Sequence, residues 1–342
     1  MNQMNNSFIK HLLITLIIFS NYSFGKEFEE LFTIYVPIEN TSKIESSINQ
    51  SFNNLVFRIS GSKSPSNIWK IINSGSSRKD FITSYSIKNI NDMSYLEVNF
   101  NQNLVIDKFK KLSIPIFGYS RPVIFFLINV ESGSEDPYFI SKDSTNDIDI
   151  YIKESLDRLS NERGLFLELP VLDLEDETFL TNTSILNSPQ QYLISKYDFD
   201  EYVDIKLINL GLKKWLIKGD INTDFNKESY LEDVKQSLDN YLESLINTTF
   251  SDLKIDTSKT ILLEVNIEGI YSYEDYEILK EKLLKNIAIT NLEILNLKNY
   301  TITYKINAMG DINNFKKSIE NNTFFEFLSE KTENNLSLRF LK

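Results

Sequence analysis

The sequence contains no cysteine, and its only histidine is His11. Without thiols the chain can form neither disulfides nor thiolate zinc sites, and it has no cysteine nucleophile. Because His11 falls in an N-terminal segment that we expect to be removed, Ser-His-Asp triads and histidine acid–base chemistry are excluded as well. The ten glycines are scattered, and none forms a phosphate-binding glycine loop. The sequence therefore predicts no cofactor.

Residues 1–25 have the pattern of a secretory signal peptide. A positively charged start ends at His11, residues 12–19 are apolar apart from Thr15, and Ser23 and Gly25 are small residues suited to cleavage before Lys26. The apolar stretch is shorter than the roughly 20 residues that span a bilayer. We predict an exported, periplasmic protein with no stable transmembrane span after cleavage. The alternative is an uncleaved segment that anchors the protein in the inner membrane.

Acidic residues outnumber basic ones in what remains after cleavage. Removal of residues 1–25 leaves 35 basic and 48 acidic side chains, a net charge of −13. An acidic surface repels phosphate backbones, so a nucleic acid is not an expected partner. The length of 342 residues suggests two or three domains, and the composition and patterning place them at 26–120, 121–250 and 251–342.

The first and third domains are predicted to share one order of elements. In the third domain, hydrophobic periodicity predicts five elements in turn: a strand at 261–267, a helix at 273–284, a hairpin at 292–306, a helix at 312–319 and a strand at 336–341. This is the β-α-β-β-α-β order of ferredoxin-like domains. The first domain repeats it with an added helix, using a strand at 31–36, a helix at 44–59, a hairpin at 85–100 and a helix at 104–112.

The middle domain is predicted to contain parallel strands. Residues 123–130 are continuously apolar, as in a strand buried on both faces, and a helix at 148–163 leads to a short strand at 165–169. Such a strand, helix and strand form a parallel pair with a crossover helix. The predicted fold class is therefore α/β and α+β, with three small mixed α/β domains, the outer two ferredoxin-like.

Three phrases resemble a bacterial family known only as domain of unknown function 2066. They are Val56-Phe-Arg-Ile-Ser-Gly61, Ile114-Pro-Ile-Phe-Gly118 with Arg121-Pro122, and Gly164-Leu-Phe-Leu-Glu-Leu-Pro-Val-Leu-Asp-Leu-Glu-Asp176. Phe117 stands where the family usually has tryptophan, which is typical of a divergent member. The resemblance implies an exported protein of the bacterial envelope and supplies no activity.

The third phrase ends in a cluster of carboxylates. Asp173, Glu175 and Asp176 follow a predicted buried strand, and ligands of open α/β sheets bind beyond strand ends. The cluster has three interpretations: a site for a hard cation such as Ca²⁺ or Mg²⁺, a general acid whose pKa is raised by its neighbours, or a structural segment. The structural segment would be either the acidic start of a helix near 176–181 or a solvated loop.

Two arginines lie in the other phrases, and each has a structural and a ligand-binding interpretation. Arg58 near a helix C-terminus is suited to bind free carbonyls. Arg121 at a domain junction is suited to clamp carbonyls or a carboxylate across the boundary, or to hold a ligand. Trp69 and Trp215 are predicted to be core or interface anchors.

The sequence favours binding over catalysis. We expect a non-enzymatic binding or assembly module for envelope proteins or cell-wall components, with small sheets whose edges suit strand addition. Two alternatives use Asp173, Glu175 and Asp176. One is a glycan hydrolase, which needs only two carboxyl groups, and the other is a divalent-cation-dependent binding module.

Overall fold

The structure is a computed structural model, and it describes residues 26–38, 44–90, 93–133, 136–181, 189–221, 229–251, 253–320, 324–332 and 334–342. The predicted signal peptide at 1–25 lies outside these residues. Within the described ranges, no helix combines the length and the apolar character that crossing a membrane requires. Mixed helices and sheets fill all three predicted segments, so the predicted fold class is confirmed.

The N-terminal region contains a small antiparallel sheet. Its elements are β1 (Lys26–Glu27), β2 (Thr33–Pro37), α1 (Ile44–Ser60), α2 (Ser66–Asn73), a 3₁₀ turn (Arg78–Phe81), β3 (Ile82–Ile90), β4 (Met93–Phe100) and α3 (Gln102–Lys111). The sheet has the order β2-β4-β3. Helix α1 forms because apolar residues recur every three or four positions, and its buried face covers the sheet.

This region departs from the predicted order in its last element. Among the described residues, no fourth strand joins the β2-β4-β3 sheet, so the prediction of a complete β-α-β-β-α-β unit is wrong here. After α3 the chain passes through Pro115, which cannot donate to a sheet ladder. It then makes a single antiparallel bridge from Ile116 to Ile255. The strand β5 (Ser120–Arg121) pairs instead with β1.

The middle region is built on one long buried strand. Its elements are β6 (Val123–Ser132), β7 (Tyr138–Phe139), α4 (Asp147–Arg163), β8 (Phe166–Glu168), α5 (Leu174–Thr181), α6 (Pro189–Ile194), β9 (Glu201–Gly211), β10 (Lys214–Gly219), β11 (Ser229–Tyr230) and α7 (Leu231–Ser251). Strands β8 and β9 both run parallel to β6, on opposite sides of it. The predicted parallel pair with its crossover helix is therefore confirmed.

The C-terminal region contains every predicted element and one extra strand, but its last strand runs parallel to its first, unlike the wholly antiparallel sheet of a ferredoxin-like domain. Its elements are β12 (Thr260–Glu268), α8 (Tyr273–Lys285), β13 (Ile289–Lys298), β14 (Thr301–Met309), α9 (Ile312–Glu320), β15 (Phe325–Thr332) and β16 (Asn335–Phe340). The sheet order is β13-β14-β12-β16-β15, with β16 parallel to β12. Strand β15, which the sequence pattern did not predict, extends the sheet by pairing with β16.

Among the described residues, the buried side chains form one core in the N-terminal region, two in the middle region and one in the C-terminal region. The N-terminal core also takes in Ile255, Ile287, Ala288 and Met309, so the N- and C-terminal regions pack against each other. Trp215 belongs to the larger of the two middle cores, as predicted. Trp69 is 59% exposed, so its prediction as an anchor is wrong. Helix α2 turns its neighbours Ile68 and Ile71 inward instead.

Candidate functional site

Three buried arginines meet where two helices end, and we call Arg58, Arg121 and Arg163 the arginine cluster. Arg58 lies in the last turn of α1, and Arg163 is the last residue of α4. Helix C-termini carry unpaired carbonyls and a partial negative charge, which favours cations there. The positions of these helix ends therefore explain why the fold tolerates positive charge in its interior.

Arg58 joins the start of the N-terminal sheet to the middle region. Its Nη1 donates to the carbonyl oxygens of Glu30 and Thr33 at 2.9 and 2.7 Å. Its Nη2 donates to the carbonyl of Asn161 in α4. Because Thr33 begins β2, the guanidinium lies beside an outer strand of the N-terminal sheet and ties it to the end of α4.

Arg121 binds carbonyls of both helix ends and of the segment between α3 and β5. Its Nε donates to Gly118 at 2.6 Å. Its two Nη atoms lie 3.3–3.4 Å from the carbonyls of Arg58, Phe117 and Arg163. Every hydrogen-bond acceptor of this guanidinium among the described residues is a backbone carbonyl.

Arg163 completes the cluster and is the member with a close carboxylate. Its Nη2 donates to the Gly61 carbonyl at 2.8 Å and to Asn247 Oδ1 at 2.9 Å, and its Nη1 lies 3.2 Å from Glu243. The guanidiniums of Arg163 and Arg121 both lie over the ring of Phe250, 5.5 and 5.3 Å from its centroid. Cation–π contact of this kind stabilises a desolvated cation.

Burial lowers the pKa values of these guanidiniums. Removal from water, together with repulsion by Arg58 and Arg163, lowers the pKa of Arg121 to about 9. Burial lowers the pKa of Arg58 to about 10, although the nearby Glu30 carboxylate opposes this. All three side chains therefore stay charged at neutral pH, and the cluster is held together by carbonyl dipoles more than by ion pairs.

The contacts of Arg58 and Arg121 within the chain match the structural interpretation of both residues. Both join segments of the chain that are far apart, and Arg121 does so through carbonyls alone. Arg163 is the residue that sequence reasoning missed. The sequence shows only an arginine directly before Gly164, which ends the helix. Arg163 becomes buried because α4 packs against α1 and α7.

The carboxylates Asp173, Glu175 and Asp176, which we call the acidic cluster, begin helix α5. The Asp176 amide donates to Asp173 Oδ1 at 2.8 Å, and the Asp173 amide donates to Asp176 Oδ2 at 3.1 Å. This reciprocal pair satisfies two free amides of a helix start. The structure therefore matches the interpretation in which these residues begin a helix.

Asp176 is the buried member of this cluster. Its Oδ1 accepts hydrogen bonds from the Tyr192 hydroxyl at 2.8 Å and from Lys196 Nζ at 2.5 Å. Burial alone would raise the pKa of Asp176, but the hydrogen bonds from Lys196, from the Asp173 amide and from Tyr192 outweigh it and lower the pKa. The carboxylate is held ionised, which is unsuitable for a general acid.

The other two members face solvent. Asp173 and Glu175 are exposed, and Asp173 lies 3.9 Å from Lys196. In the described part of the chain, no group of three or more acidic, histidine or cysteine side chains is arranged to hold a metal ion. The cluster thus offers neither a pair of carboxylates across a groove, which a glycosidase needs, nor a cation site among these residues.

A cavity of about 570 Å³, which we call the junction cavity, opens where the three regions meet. Its wall contains Arg121, and the residues that surround it are Lys26, Glu27, Phe117, Gly118, Tyr119, Ser120, Val123, Glu168, Asp198, Leu253, Ile255, Lys282, Lys285, Asn286, Ile287, Asn314, Lys317, Ser318 and Phe324. Its volume lies within the range of small-molecule pockets, about 300–1,000 Å³.

In the described part of the chain, two strands present unpaired outer edges with exposed apolar side chains. Strand β3 is the outer strand of the N-terminal sheet, and β13 is the outer strand of the C-terminal sheet. Tyr85 and Ile87 on β3, and Ile294 and Leu297 on β13, are large apolar residues that are exposed. Each of these residues lies opposite a buried residue of the neighbouring strand, so it is on the face of the sheet against which the helices pack. The helices do not extend far enough to bury the outer strand.

Comparisons with known proteins found no relative of this chain. No protein-family model matches the chain. No curated protein and no solved structure matches it either.

Proposed function

We propose that this protein is a non-enzymatic binding module of the bacterial cell envelope that takes an extended segment of a partner protein onto the edge of its C-terminal sheet. The observation that carries this proposal is the exposed outer strand β13, which is ten residues long. The acidic cluster and the arginine cluster do not compete for this role, because both are engaged in contacts within the chain.

Strand β13 has the features that strand addition requires. Since β13 ends the sheet order, no strand among the described residues pairs with its outer backbone groups, which are the groups that strand addition uses. Leu297 is 65% exposed and Ile294 is 47% exposed, so the edge offers apolar contacts beside the backbone hydrogen bonds. Recognition by strand addition combines these two kinds of contact, one giving affinity and the other specificity.

Aromatic side chains extend the apolar surface at the end of this edge. Tyr300 follows β13 in the turn to β14, and its ring lies 5.3 Å from that of Tyr271. Both tyrosines are more than 60% exposed. Tyrosine suits a binding surface because it offers an apolar ring and a polar hydroxyl at low entropic cost.

The compartment is supported by the sequence. The signal-peptide pattern of residues 1–25 and the resemblance to an exported family both favour the cell envelope. The absence of cysteine is compatible with an oxidising compartment, since no thiol is available for wrong disulfides. The partner is therefore expected among envelope proteins or proteins bound to the cell wall.

Site-specific crosslinking in the native host tests the proposal. A photo-crosslinking amino acid placed at position 297 should give one discrete adduct, and Ile294→Lys in the same chain should reduce that adduct at least tenfold. The purified partner should then bind the purified wild-type protein and bind Ile294→Lys at least tenfold more weakly. A lysine on the edge disfavours strand pairing by its charge.

Leu212 provides the matched control position. It is 93% exposed in the turn between β9 and β10, far along the chain from β13. A crosslinker at position 212 should give no such adduct. Equal adducts from positions 212 and 297, or an adduct that Ile294→Lys leaves unchanged, would rule out the β13 edge as the binding surface.

A further inference from the structure

The junction cavity differs in charge from the rest of the molecule. Its wall carries five cationic side chains, Lys26, Arg121, Lys282, Lys285 and Lys317, and three carboxylates. The whole sequence has the opposite balance, with 36 basic and 48 acidic residues. A cavity lined by an excess of cations within an acidic protein concentrates anions there.

Two of these lysines have local partners and two do not. Lys26 lies 2.9 Å from Glu168, and Lys285 lies 3.8 Å from Glu27. Within the described part of the chain, Lys282 and Lys317 form no ion pair. Lys282 lies over the ring of Phe324, 3.8 Å from its centroid. These two ammonium groups are therefore available to an anion in the cavity.

Arg121 supplies an independent reason to expect an anion. Its guanidinium is buried in the cavity wall, it binds only carbonyls, and its charged neighbours are Arg58 and Arg163. Arg163 has Glu243 and Arg58 has the nearby Glu30, but Arg121 has no carboxylate among the described residues. A buried cation without a counter-charge is electrostatically unfavourable, and a neighbouring anion relieves it.

The remaining wall is apolar. Phe117, Ile255, Ile287 and Val123 are buried side chains that border the cavity. A simple inorganic anion would leave this surface in contact with water, whereas a ligand with an apolar portion would cover it. The wall thus combines the two chemistries that bind an amphipathic molecule.

We propose that the junction cavity binds a small organic anion, a molecule with a carboxylate or phosphate group on an apolar body. The anionic group lies toward Arg121, Lys282 and Lys317, and the apolar body lies against Phe117 and Ile287. This site is separate from the β13 edge and does not depend on strand addition.

Calorimetric titration of the purified protein with four probes tests the proposal. Octanoate and octyl phosphate, both below their micelle concentrations, should bind at one site. Inorganic phosphate and octanol should each bind at least tenfold more weakly than the better of the two amphipathic anions. Which of those two binds more tightly identifies the anionic group. Raising the salt concentration should weaken both, because screening reduces the attraction between charges.

Two pairs of variants locate the site. The double variant Lys282→Gln and Lys317→Gln should weaken binding of the better probe at least tenfold. The matched control, Lys280→Gln with Lys305→Gln, makes the same charge change outside the cavity wall and should leave binding within twofold. Neither pair removes a buried residue, so both should fold.

Gly118 offers a second, steric test. A Cβ at Gly118 would meet open space, and Gly118 borders the cavity, so Gly118→Phe should fill the cavity and abolish binding. Gly133 also has open space around its Cβ, and Gly133→Phe should bind like the wild type.

Three results would overturn the proposal. Equal binding of octanol and the anions would remove the role of charge, and equal binding of inorganic phosphate would remove the role of the apolar wall. Unchanged binding in Gly118→Phe would place the site elsewhere.

Discussion

The arginine cluster and the acidic cluster both make their contacts within the chain, but they join residues over different distances along it. The acidic cluster makes its contacts within 20 residues of Asp176 along the chain. The arginine cluster joins residues as much as 103 positions apart, as Arg58 does with Asn161. The first cluster fixes one short helix, and the second fixes the N-terminal region against the middle region.

The comparison shows how charge at a junction can serve structure. A buried carboxylate such as Asp176 is stabilised by one cation and a few donors close by. The guanidiniums instead use carbonyls that two helix ends and a linker leave free. Because those carbonyls are brought together only by tertiary packing, the loss of one arginine should cost more than the loss of one acid.

Arg58→Met should produce the largest effect. Methionine preserves much of the packing volume but leaves the carbonyls of Glu30, Thr33 and Asn161 without their donor, so we expect a loss of roughly 3–5 kcal/mol in the free energy of unfolding. Urea denaturation followed by tryptophan fluorescence measures it, with Trp69 reporting on the N-terminal region and Trp215 on the middle region.

Arg158→Met is the matched control, since Arg158 is half exposed on α4 and its ion pairs with described residues, Glu162 and Asp239, are long, at 3.6 and 3.8 Å. Such a surface pair contributes about 0–1 kcal/mol. If both variants lose the same stability, the buried carbonyl contacts of Arg58 have no special role and the comparison between the two clusters fails.

Gly61→Ala should have the next largest effect. Gly61 has a φ of +66°, and an added Cβ would overlap the ring of Phe117, which packs edge-on against Phe250. The left-handed backbone costs a non-glycine residue about 1–2 kcal/mol, and the overlap adds about 1–3 kcal/mol. Thermal and urea denaturation measure the total.

Gly75→Ala separates these two contributions. Gly75 also has a positive φ, of +83°, but its Cβ would meet open space, so only the backbone cost of about 1–2 kcal/mol applies. Replacing Phe117 by leucine should recover part of the stability lost in Gly61→Ala and none of that lost in Gly75→Ala. Equal losses in the two alanine variants would show that Phe117 moves aside freely.

The sequence predicts the local elements because their signals are local. The helix predicted at 148–163 lies at Asp147–Arg163 and ends at Gly164, whose φ is +64°. The C-terminal β-α-β-β-α-β order follows from hydrophobic periodicity. Strand β15 was missed because its second half, Leu-Ser-Glu-Lys-Thr, lacks strand alternation, and its pairing with β16 is irregular.

The parts that were not predicted depend on tertiary packing. The fourth strand expected in the N-terminal sheet is not found among the described residues, and Arg58 lies beside β2 at that edge. The sequence alone would predict Arg163 to be an ordinary exposed residue at a helix end, because its burial depends on the packing of α1 and α7 against α4. The junction cavity has no sequence signal, because its wall comes from segments that range from Lys26 to Phe324.

Of Arg58→Met, Gly61→Ala and Asp176→Asn, the last should have the smallest effect, about 1–3 kcal/mol at pH 7. The amide loses the ion pair with Lys196, and its single oxygen cannot replace both Oδ2, which accepts from the Asp173 amide, and Oδ1, which accepts from Tyr192 and Lys196. Glu175→Gln changes an exposed carboxylate of the same cluster and should change stability by less than about 0.5 kcal/mol. Urea denaturation at pH 7 compares the two.

The pH dependence of Asp176→Asn gives the sharper test. The folded state lowers the pKa of Asp176 below its ordinary value of 3.8, so its ionised form contributes stability that is present above pH 3.8 and is lost as the pH falls through the lower, folded-state pKa. The difference in the free energy of unfolding between wild type and Asp176→Asn should therefore become smaller below pH 3.8.

Calcium gives a separate test of the acidic cluster. If the cluster bound Ca²⁺, CaCl₂ at a hundredfold excess over the Kd would raise the free energy of unfolding by about 2.7 kcal/mol. We expect no such rise in Tm, because both oxygens of Asp176 already accept hydrogen bonds within the chain.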